Sequence, residues 1–256
     1  MPSDAGSLKR GVVLLKLLAS AGRRGMALTD LAAKAQLPHP SAHRILRQLI
    51  VERLAERHVD TKRYMLGPLA FEIGVASSTL YDIRDLCEAA MNGLANATGD
   101  TVYLVVRSGF DAVCMHRREG EYPVRALVLE VGSRRPLGVG AGGLAILSAI
   151  ERDERDEVIR RVGPSLASFG DLTAETLEAA CAEAVAFGAA VIQNRVTLAI
   201  KAVGVPFRNS MGQPTGALSV AALNQRLDTR RVEVVSELLR SAVLDVEHQI
   251  RRLRIG

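Results

Sequence analysis

Polar side chains with hydrogen-bonding capacity recur along one stretch of the sequence, from Ser41 to Gln48. At 100° per residue in a helix, Arg44 and Arg47 lie near the centre of one face, with His43 and Gln48 beside them and Ser41 at its N-terminal end. Arginine can pair with guanine O6 and N7, glutamine with adenine N6 and N7, and serine with a phosphate. The stretch therefore has the chemistry of a base-reading surface, although a merely solvated helix face would carry similar residues.

A glycine-rich loop, Gly138-Val-Gly-Ala-Gly-Gly143, is the second stretch with chemical capacity. It formally satisfies a dinucleotide-binding pattern, but Pro136 precedes it and Glu-rich helical sequence follows it, whereas the fingerprint needs a preceding strand and a later acid at a strand end. Because the loop runs into a predicted helix, the N–H groups of Ala141 and Gly142 favour a carboxylate or similar anion. Close packing of the loop against a sheet is the alternative.

Other residue types that serve in catalysis are present without the spacing that catalysis requires. Ser210, Ser219, His116 and His248 lie outside any G-x-S-x-G turn, and the sequence contains no H-E-x-x-H, P-loop or Cys–His pairing. The three cysteines are far apart and have no ligand partners at metal-binding spacing, so we interpret them as buried small side chains. We therefore expect no enzyme activity, no cofactor and no metal.

The length and the charge distribution of the chain indicate how many domains hold these residues and what they could contact. A chain of 256 residues allows one domain of about 70 residues and one of about 170. The N-terminus has no signal-peptide pattern and no window reaches roughly 18 apolar residues, so we expect a cytoplasmic protein. Residues 1–68 hold 12 Lys and Arg against 5 Asp and Glu, a net charge of +7, which leaves −2 for the rest. This asymmetry indicates contact with a polyanion near the N-terminus, although a solvated basic face would look similar.

Three predicted helices position the first polar stretch. Apolar residues at helical spacing from Leu8 predict a first helix that ends at Gly22, and Thr29 is predicted to cap a short second helix. Pro40 suits the first position of the third helix. The apolar face of that third helix consists of Ala42, Ile45, Leu46, Leu49 and Ile50. Two short helices, a turn and a third helix with outward polar groups meet the requirements of a recognition helix.

The next segment predicts a wing, which we define as two short strands over residues 54–58 and 63–67 with a polar turn between them. Its cations stand where a flanking backbone or a minor groove would run. Residues 1–67 are therefore predicted to be a winged helix-turn-helix DNA-binding domain. The predicted DNA-binding residues are Thr29, His39, Ser41, His43, Arg44, Arg47, Gln48, Arg57, Lys62 and Arg63.

The remaining sequence predicts a helical linker over 68–80 and an α+β domain over 81–256. Helices are expected near 83–98, 142–150, 152–162, 174–187 and 229–253. Strands are expected near 101–107, 112–118, 125–131, 189–193, 198–207 and 215–222. Consecutive strand pairs with peripheral helices indicate the α+β class.

The stretch LTDLAAKAQLPHPSAHRILRQL, followed by RYMLGP, resembles the N-terminal domain of the IclR family, named after the isocitrate lyase regulator. HRREGEYPVR, EVGSRRPLGVGAGGLAIL and VGVPFRNSMGQPTGALSV resemble its effector domain, so the resemblance covers the chain from about Leu8. It implies a bacterial transcriptional regulator with a GAF-like α/β effector-binding domain. It also implies paired winged domains on an operator, and a small organic acid or aromatic effector that changes DNA affinity or RNA polymerase recruitment. Many members have Gly where Arg53 stands, so this helix end turns differently or Arg53 adopts an unfavourable backbone conformation.

The resemblance places the ligand-contacting amides at Ala141 and Gly142. Members that bind small polar acids usually carry an acidic cluster over 192–195, which here reads Ile-Gln-Asn-Arg, and hydrogen-bonding groups at two positions that here are Ala202 and Ala221. Their loss favours a bulkier, aromatic or partly apolar acid, because a small acid would bury unpaired polar atoms. The predicted effector-binding residues are Tyr103, Met115, Val128, Ala141, Gly142, Leu144, Ile192, Ala202, Ser219 and Ala221, several of which could instead be plain core.

A single recognition helix buries too little surface to select one DNA site tightly, so we expect a homodimer on a palindromic operator. The resemblance extends this expectation to a dimer of dimers. The alternatives are a small-molecule-binding enzyme and an interaction module without DNA binding. The interaction module leaves the cations of the wing unexplained.

Overall fold

The computed structural model describes residues 4–76, 78–194 and 197–253. Its contacts divide the chain into two compact units, Met1–Ser78 and Thr79–Gly256. This division falls inside the predicted linker at 68–80. In the described ranges, none of the helices combines the length and apolar character that a membrane span requires.

The first unit is built from helices that share a core with a small hairpin. Its elements are α1 (Asp4–Ala21), a 3₁₀ turn (Gly22–Arg24), α2 (Leu28–Lys34), α3 (His39–Val51), β1 (Ala55–Arg57), β2 (Tyr64–Leu66) and α4 (Pro68–Ala76). β1 and β2 pair antiparallel. Leu14, Leu31, Leu46 and Tyr64 are buried together, so one apolar cluster fixes α1, α2, α3 and the hairpin. The predicted winged helix-turn-helix fold is confirmed.

The prediction that Thr29 caps the second helix is wrong. The N-cap is Ala27, whose side chain makes no capping bond, and Thr29 is an exposed residue inside α2. The entry is set earlier because Met26 exchanges both backbone hydrogen bonds with Tyr64, at 2.9 Å each. This bridge to β2 directs the chain into the helix without a side-chain cap.

The second unit is a six-stranded antiparallel sheet with helices on both faces. Its strands are β3 (Thr101–Ser108), β4 (Asp111–Arg118), β5 (Arg134–Pro136), β6 (Ala190–Gln193), β7 (Ile200–Arg208) and β8 (Pro214–Leu223), in the order β5-β4-β3-β8-β7-β6. Its helices are α5 (Ser78–Thr98), α6 (Ala141–Ala149), α7 (Arg152–Leu166), α8 (Ala174–Phe187) and α9 (Thr229–Leu253). A 3₁₀ turn, Asn224–Arg226, precedes α9.

Alternation along the central strands builds two cores. Tyr103 and Val105 of β3 pack with residues of α6, α7 and α8. Val102 and Leu104 point to the opposite face, where α5 and α9 lie. Helices cover β3 on both faces, which agrees with its nearly continuous apolar sequence, as expected of a buried strand.

The predicted strand at 125–131 is wrong, because this segment joins no ladder. Its backbone groups bond to side chains instead: the Tyr103 hydroxyl donates to the Ala126 carbonyl at 2.5 Å and accepts from the Val128 amide at 2.9 Å. The guanidinium of Arg117 donates to the Leu129 carbonyl at 3.2 Å. The place beside β4 is taken by the three-residue strand β5. The segment therefore lies over the sheet as a wall held by side chains.

Candidate DNA-binding surface and ligand cavity

The helix α3 divides into a buried and an exposed face. Ala42, Ile45 and Leu46 are buried. His43, Arg44, Arg47 and Gln48 are exposed and, with Val51 and Glu52, line a shallow surface groove. Neither guanidinium of this face makes an ion pair or hydrogen bond within the described parts of the chain. The cationic face is thus open to solvent.

Three other predicted residues frame this face. His39 is the exposed first residue of α3, and Ser41 is half-buried two residues later. Pro40, expected at the first position, takes the second. Thr29 stands exposed on α2. These positions remain predicted DNA contacts.

The wing uses two of its three predicted cations to hold itself together. The Arg57 Nε donates to the carbonyl of Lys62 at 3.2 Å, and its guanidinium lies 5.5 Å from the Tyr64 ring centre. The Arg63 Nε donates to the Gly25 carbonyl at 3.1 Å. Lys62 is exposed at the tip with a φ of 57°. Among the described residues, the side chain of Lys62 makes no hydrogen bond or ion pair, and its contact with DNA remains a prediction.

Arg24 is an exposed cation that the sequence analysis did not select. It precedes Gly25, whose backbone packs so closely on Tyr64 that a Cβ there would lie 2.8 Å from the carbonyl oxygen. The signal was available in the run Gly22-Arg-Arg-Gly25, where two cations stand between residues suited to a tight turn.

The end of α3 is fastened to the start of α4. Arg53 has a φ of 58°, so the second of the two expectations for this position is confirmed. Its carbonyl accepts from the Leu69 amide at 3.0 Å, and the Gly67 amide donates to the Leu54 carbonyl at 3.0 Å. A Cβ on Gly67 would lie 2.3 Å from the Arg53 oxygen. An ion pair of 2.9 Å between Arg53 and Glu72 adds a side-chain contact.

In the second unit, a cavity lies between the sheet, the N-terminus of α6 and the wall at 126–129. We call it the ligand cavity; its volume is about 40 Å³. It is lined by Tyr103, Val105, Ala112, Cys114, Val128, Leu129, Arg135, Val139, Gly140, Ala141, Gly142, Gly143, Ile192, Thr197, Ile200, Ala202, Ser219 and Ala221. Most of these side chains are apolar.

The structure brings most of the predicted effector residues to this cavity. Those that line it are Tyr103, Val128, Ala141, Gly142, Ile192, Ala202, Ser219 and Ala221. Two predictions are wrong. Met115 follows Cys114 on β4 and, because alternate strand residues face opposite sides, packs on the α5 and α9 face. Leu144 lies one turn along α6, where the core encloses it to 1% exposure. The stretch 192–195 lacks the acidic cluster of the family members that bind small polar acids. Within it, Arg195 lies outside the described residues.

Small residues allow the N-terminus of α6 to rest directly against the sheet. A Cβ on Gly204 of β7 would lie 2.6 Å from the carbonyl oxygen of Ala141, and one on Gly142 would lie 2.5 Å from Val105 Cγ2. The cap residue Gly140 has a φ of 82° and provides no side-chain cap. The first amides of α6 consequently face the cavity without an intrahelical acceptor, which makes this end favourable for an anion.

Arg135 is the charged residue of the described lining, and the sequence analysis did not predict it. It pairs with Ala112 across β4 and β5, so its side chain shares the cavity face. Its guanidinium donates to the Val128 carbonyl at 2.6 Å, and burial lowers the pKa of Arg135. Burial raises the pKa of the Tyr103 hydroxyl and of the Cys114 thiol, each to about 12, so both are neutral at pH 7. The available signal was a cation three positions before the first glycine of the glycine-rich loop.

Both parts of the chain match models of one family. Residues 7–58 match the IclR helix-turn-helix domain, and residues 75–248 match the C-terminal domain of bacterial IclR transcriptional regulators. The chain belongs to the IclR family. Both the family resemblance and the predicted two-part fold class are thereby confirmed, and this IclR-family chain is a transcriptional regulator with a helix-turn-helix DNA-binding domain.

Similar proteins extend along nearly the whole IclR-family chain. It is 27% identical over 228 residues to the HTH-type transcriptional regulator KipR of Bacillus subtilis, covering 88% of this chain and 90% of that protein. It is 27% identical over 252 residues to the glycerol operon regulatory protein of Streptomyces coelicolor, covering 98% and 97%. The crystal structure of an IclR homolog from Microbacterium hydrocarbonoxydans, complexed with 4-hydroxybenzoate, has a TM-score of 0.72 at 24% identity, covering 96% and 99%. These relatives are named as regulators or IclR homologs and not as enzymes.

Proposed function

We propose that this regulator binds a palindromic operator through α3 and the wing of paired N-terminal units. We further propose that a small organic acid with an aromatic or partly apolar body binds the ligand cavity. Its binding then changes operator affinity or RNA polymerase recruitment. The observation that carries the proposal is the open cationic face of α3, which has no partner among the described residues.

Base reading is assigned to α3 because its side chains are long, exposed and unpaired within the described ranges. Arg44 and Arg47 can each form the two parallel hydrogen bonds that guanine accepts in the major groove. Lys62 at the tip of the wing is assigned to a phosphate, which positions the protein without reading sequence. One such unit buries too little surface for tight site selection, which supports binding as a dimer.

An acid with an apolar body is supported by the composition of the cavity. Its apolar lining includes Val105, Ala202 and Ala221. Its polar groups are the first amides of α6, which we call the polar end of the cavity, and the guanidinium of Arg135 on β5. These polar groups suit an anionic group, and the apolar lining suits a ring. The Microbacterium hydrocarbonoxydans homolog, complexed with 4-hydroxybenzoate, is a precedent for an aromatic acid on this fold.

The present volume of the cavity is too small for a ring, so binding requires one wall to move. The segment 126–129 is the wall outside the sheet, held mainly by the Tyr103 hydroxyl and two guanidinium groups. A ligand changes DNA affinity only if it binds one arrangement of the protein better than another. We assign the transmission of this change to the predicted linker at 68–80.

The test uses the full-length protein and a gel-shift assay on DNA from upstream of its own gene and of neighbouring genes. We expect specific retention whose affinity falls steeply, about a thousandfold, between about 50 and about 200 mM salt. A screen of aromatic and short-chain acids by thermal shift then finds the effector class. Failure to retain any double-stranded DNA at low salt would refute the DNA-binding proposal. An enzyme would instead consume a screened acid, and an interaction module would bind neither.

A further inference from the structure

The described lining of the ligand cavity holds a positive charge that no acidic side chain of the lining balances. Among the described lining residues, Arg135 is the single ionised side chain, since no Asp or Glu contributes to the wall. Tyr103 and Cys114, the titratable side chains that share the lining with it, are neutral. A partly desolvated cation without a counterion is costly, which makes the cavity complementary to one negative charge.

The neighbouring arginines show that Arg135 is exceptional. Arg134, on the same strand but on the other face, pairs with Asp111 at 3.0 Å and also bonds to the Ser108 hydroxyl. Arg117, under the same wall segment, pairs with Glu119 at 3.1 Å. Arg135 makes one hydrogen bond, to the Val128 carbonyl, and no ion pair with any described residue.

The remaining donors of Arg135 fit a carboxylate. A guanidinium carries five N–H groups in a planar fork, of which the contact with Val128 uses one. The fork matches the two oxygens of a carboxylate, and such charge-assisted bonds are among the strongest in proteins. The other polar groups of the described lining, the hydroxyls of Ser219 and Thr197 and the first amides of α6, carry no full positive charge. A second carboxylate would therefore be buried there without a counterion.

We propose that Arg135 determines the charge of the effector, selecting a monocarboxylate over its neutral analogue and over a dicarboxylate of similar shape. This inference depends on the proposed effector function and deepens it by naming the ligand class and the residue that enforces it. Arg135 acts as a specificity residue of the cavity.

The test measures dissociation constants of the full-length protein by calorimetry with matched probes. The pairs are benzoate with benzamide and 4-hydroxybenzoate with 4-hydroxybenzamide, and terephthalate is the dicarboxylate. The wild type should bind at least one acid about ten- to a hundredfold more tightly than its amide and than terephthalate. Arg135→Met, which keeps the length of the side chain, should lose that preference, and Arg135→Lys should retain part of it. Arg160→Met, on the exposed face of α7, is the matched control and should behave as wild type.

Two further measurements separate selection from a structural role. Without ligand, Arg135→Met should melt close to the wild type, because removal of a desolvated charge offsets the loss of the hydrogen bond to the Val128 carbonyl. Equal loss of acid and amide binding with a lower Tm would show that Arg135 merely supports the wall, and would overturn the proposal. So would wild-type affinity for the acid in Arg135→Met, or a wild type that binds no acid of the panel. Gel shifts on the same samples measure DNA binding independently of acid binding. Failure of the proposed DNA-binding function and failure of the proposed role of Arg135 can therefore be distinguished.

Discussion

The substitution Gly204→Ala tests whether close packing of α6 on the sheet builds the polar end of the ligand cavity. The new Cβ would lie 2.6 Å from the Ala141 carbonyl oxygen, 2.7 Å from the carbonyl carbon and 3.0 Å from the Gly142 nitrogen, all backbone atoms. Restoring ordinary contact at 3.4 Å requires the helix terminus to retreat by about 0.8 Å. Overpacking of this kind costs about 1 to 3 kcal/mol. In a domain of this size that corresponds to a fall in Tm of roughly 2 to 12 °C.

The assay combines thermal unfolding with acid binding and DNA binding on the same protein. Gly204→Ala should unfold at lower temperature and bind the acid more weakly, because the amides of α6 are displaced, while DNA retention at low salt persists. Gly163→Ala is the matched control, since nothing lies within 4 Å of its new methyl group inside α7. It should stabilise the protein by about 0.5 to 1 kcal/mol. Unchanged stability and acid affinity in Gly204→Ala would refute the claim that this contact positions the helix terminus.

Three further predictions concern the DNA surface, the strained residue after α3 and a buried acid. Arg44→Ala should relax base preference by about 1 to 3 kcal/mol in competition gel shifts, whereas Lys62→Ala should weaken all sites alike; equal losses on every sequence would contradict this division. Arg53→Gly should raise the free energy of unfolding by about 0.5 to 1 kcal/mol in urea, because its φ of 58° suits glycine, and a decrease would show that the ion pair with Glu72 dominates. Asp100→Asn should lower the free energy of unfolding by about 2 to 4 kcal/mol, because Asp100 is 4% exposed and pairs with two arginines of the segment 226–231. Asp85→Asn, exposed on α5, is its control.

The periodic features of the chain could be predicted from the sequence. The 3.6-residue period of α3 separated Ala42 and Ile45 from Arg44 and Arg47, and the structure has the same division. The terminal helix and α8 match the expected ranges, since long amphipathic patterns and the glycine at 188 define their limits. Local physics alone determines such features.

The features that depend on distant partners could not be predicted in this way. The segment at 125–131 has the residue types of a strand, but its hydrogen bonds go to Tyr103, Arg117 and Arg135 from elsewhere in the chain. Thr29 does not cap α2, because a backbone bridge between Met26 and Tyr64 sets an earlier start for this helix. A local sequence pattern does not reveal such a bridge. The face of the sheet on which the Arg135 side chain lies can be assigned only from the register of β5 against β4.

The junction after α3 has a mechanical consequence for regulation. Because the carbonyl of Arg53 holds the amide of Leu69, and Gly67 leaves no room between them, α3 and the first turn of α4 form one stiff corner. A change in the direction of α4 must therefore turn α3 through a similar angle. In the proposed dimer, a small rotation of α4 would therefore bring the two α3 helices into or out of register with successive major grooves, and every base-contacting side chain would stay unaltered.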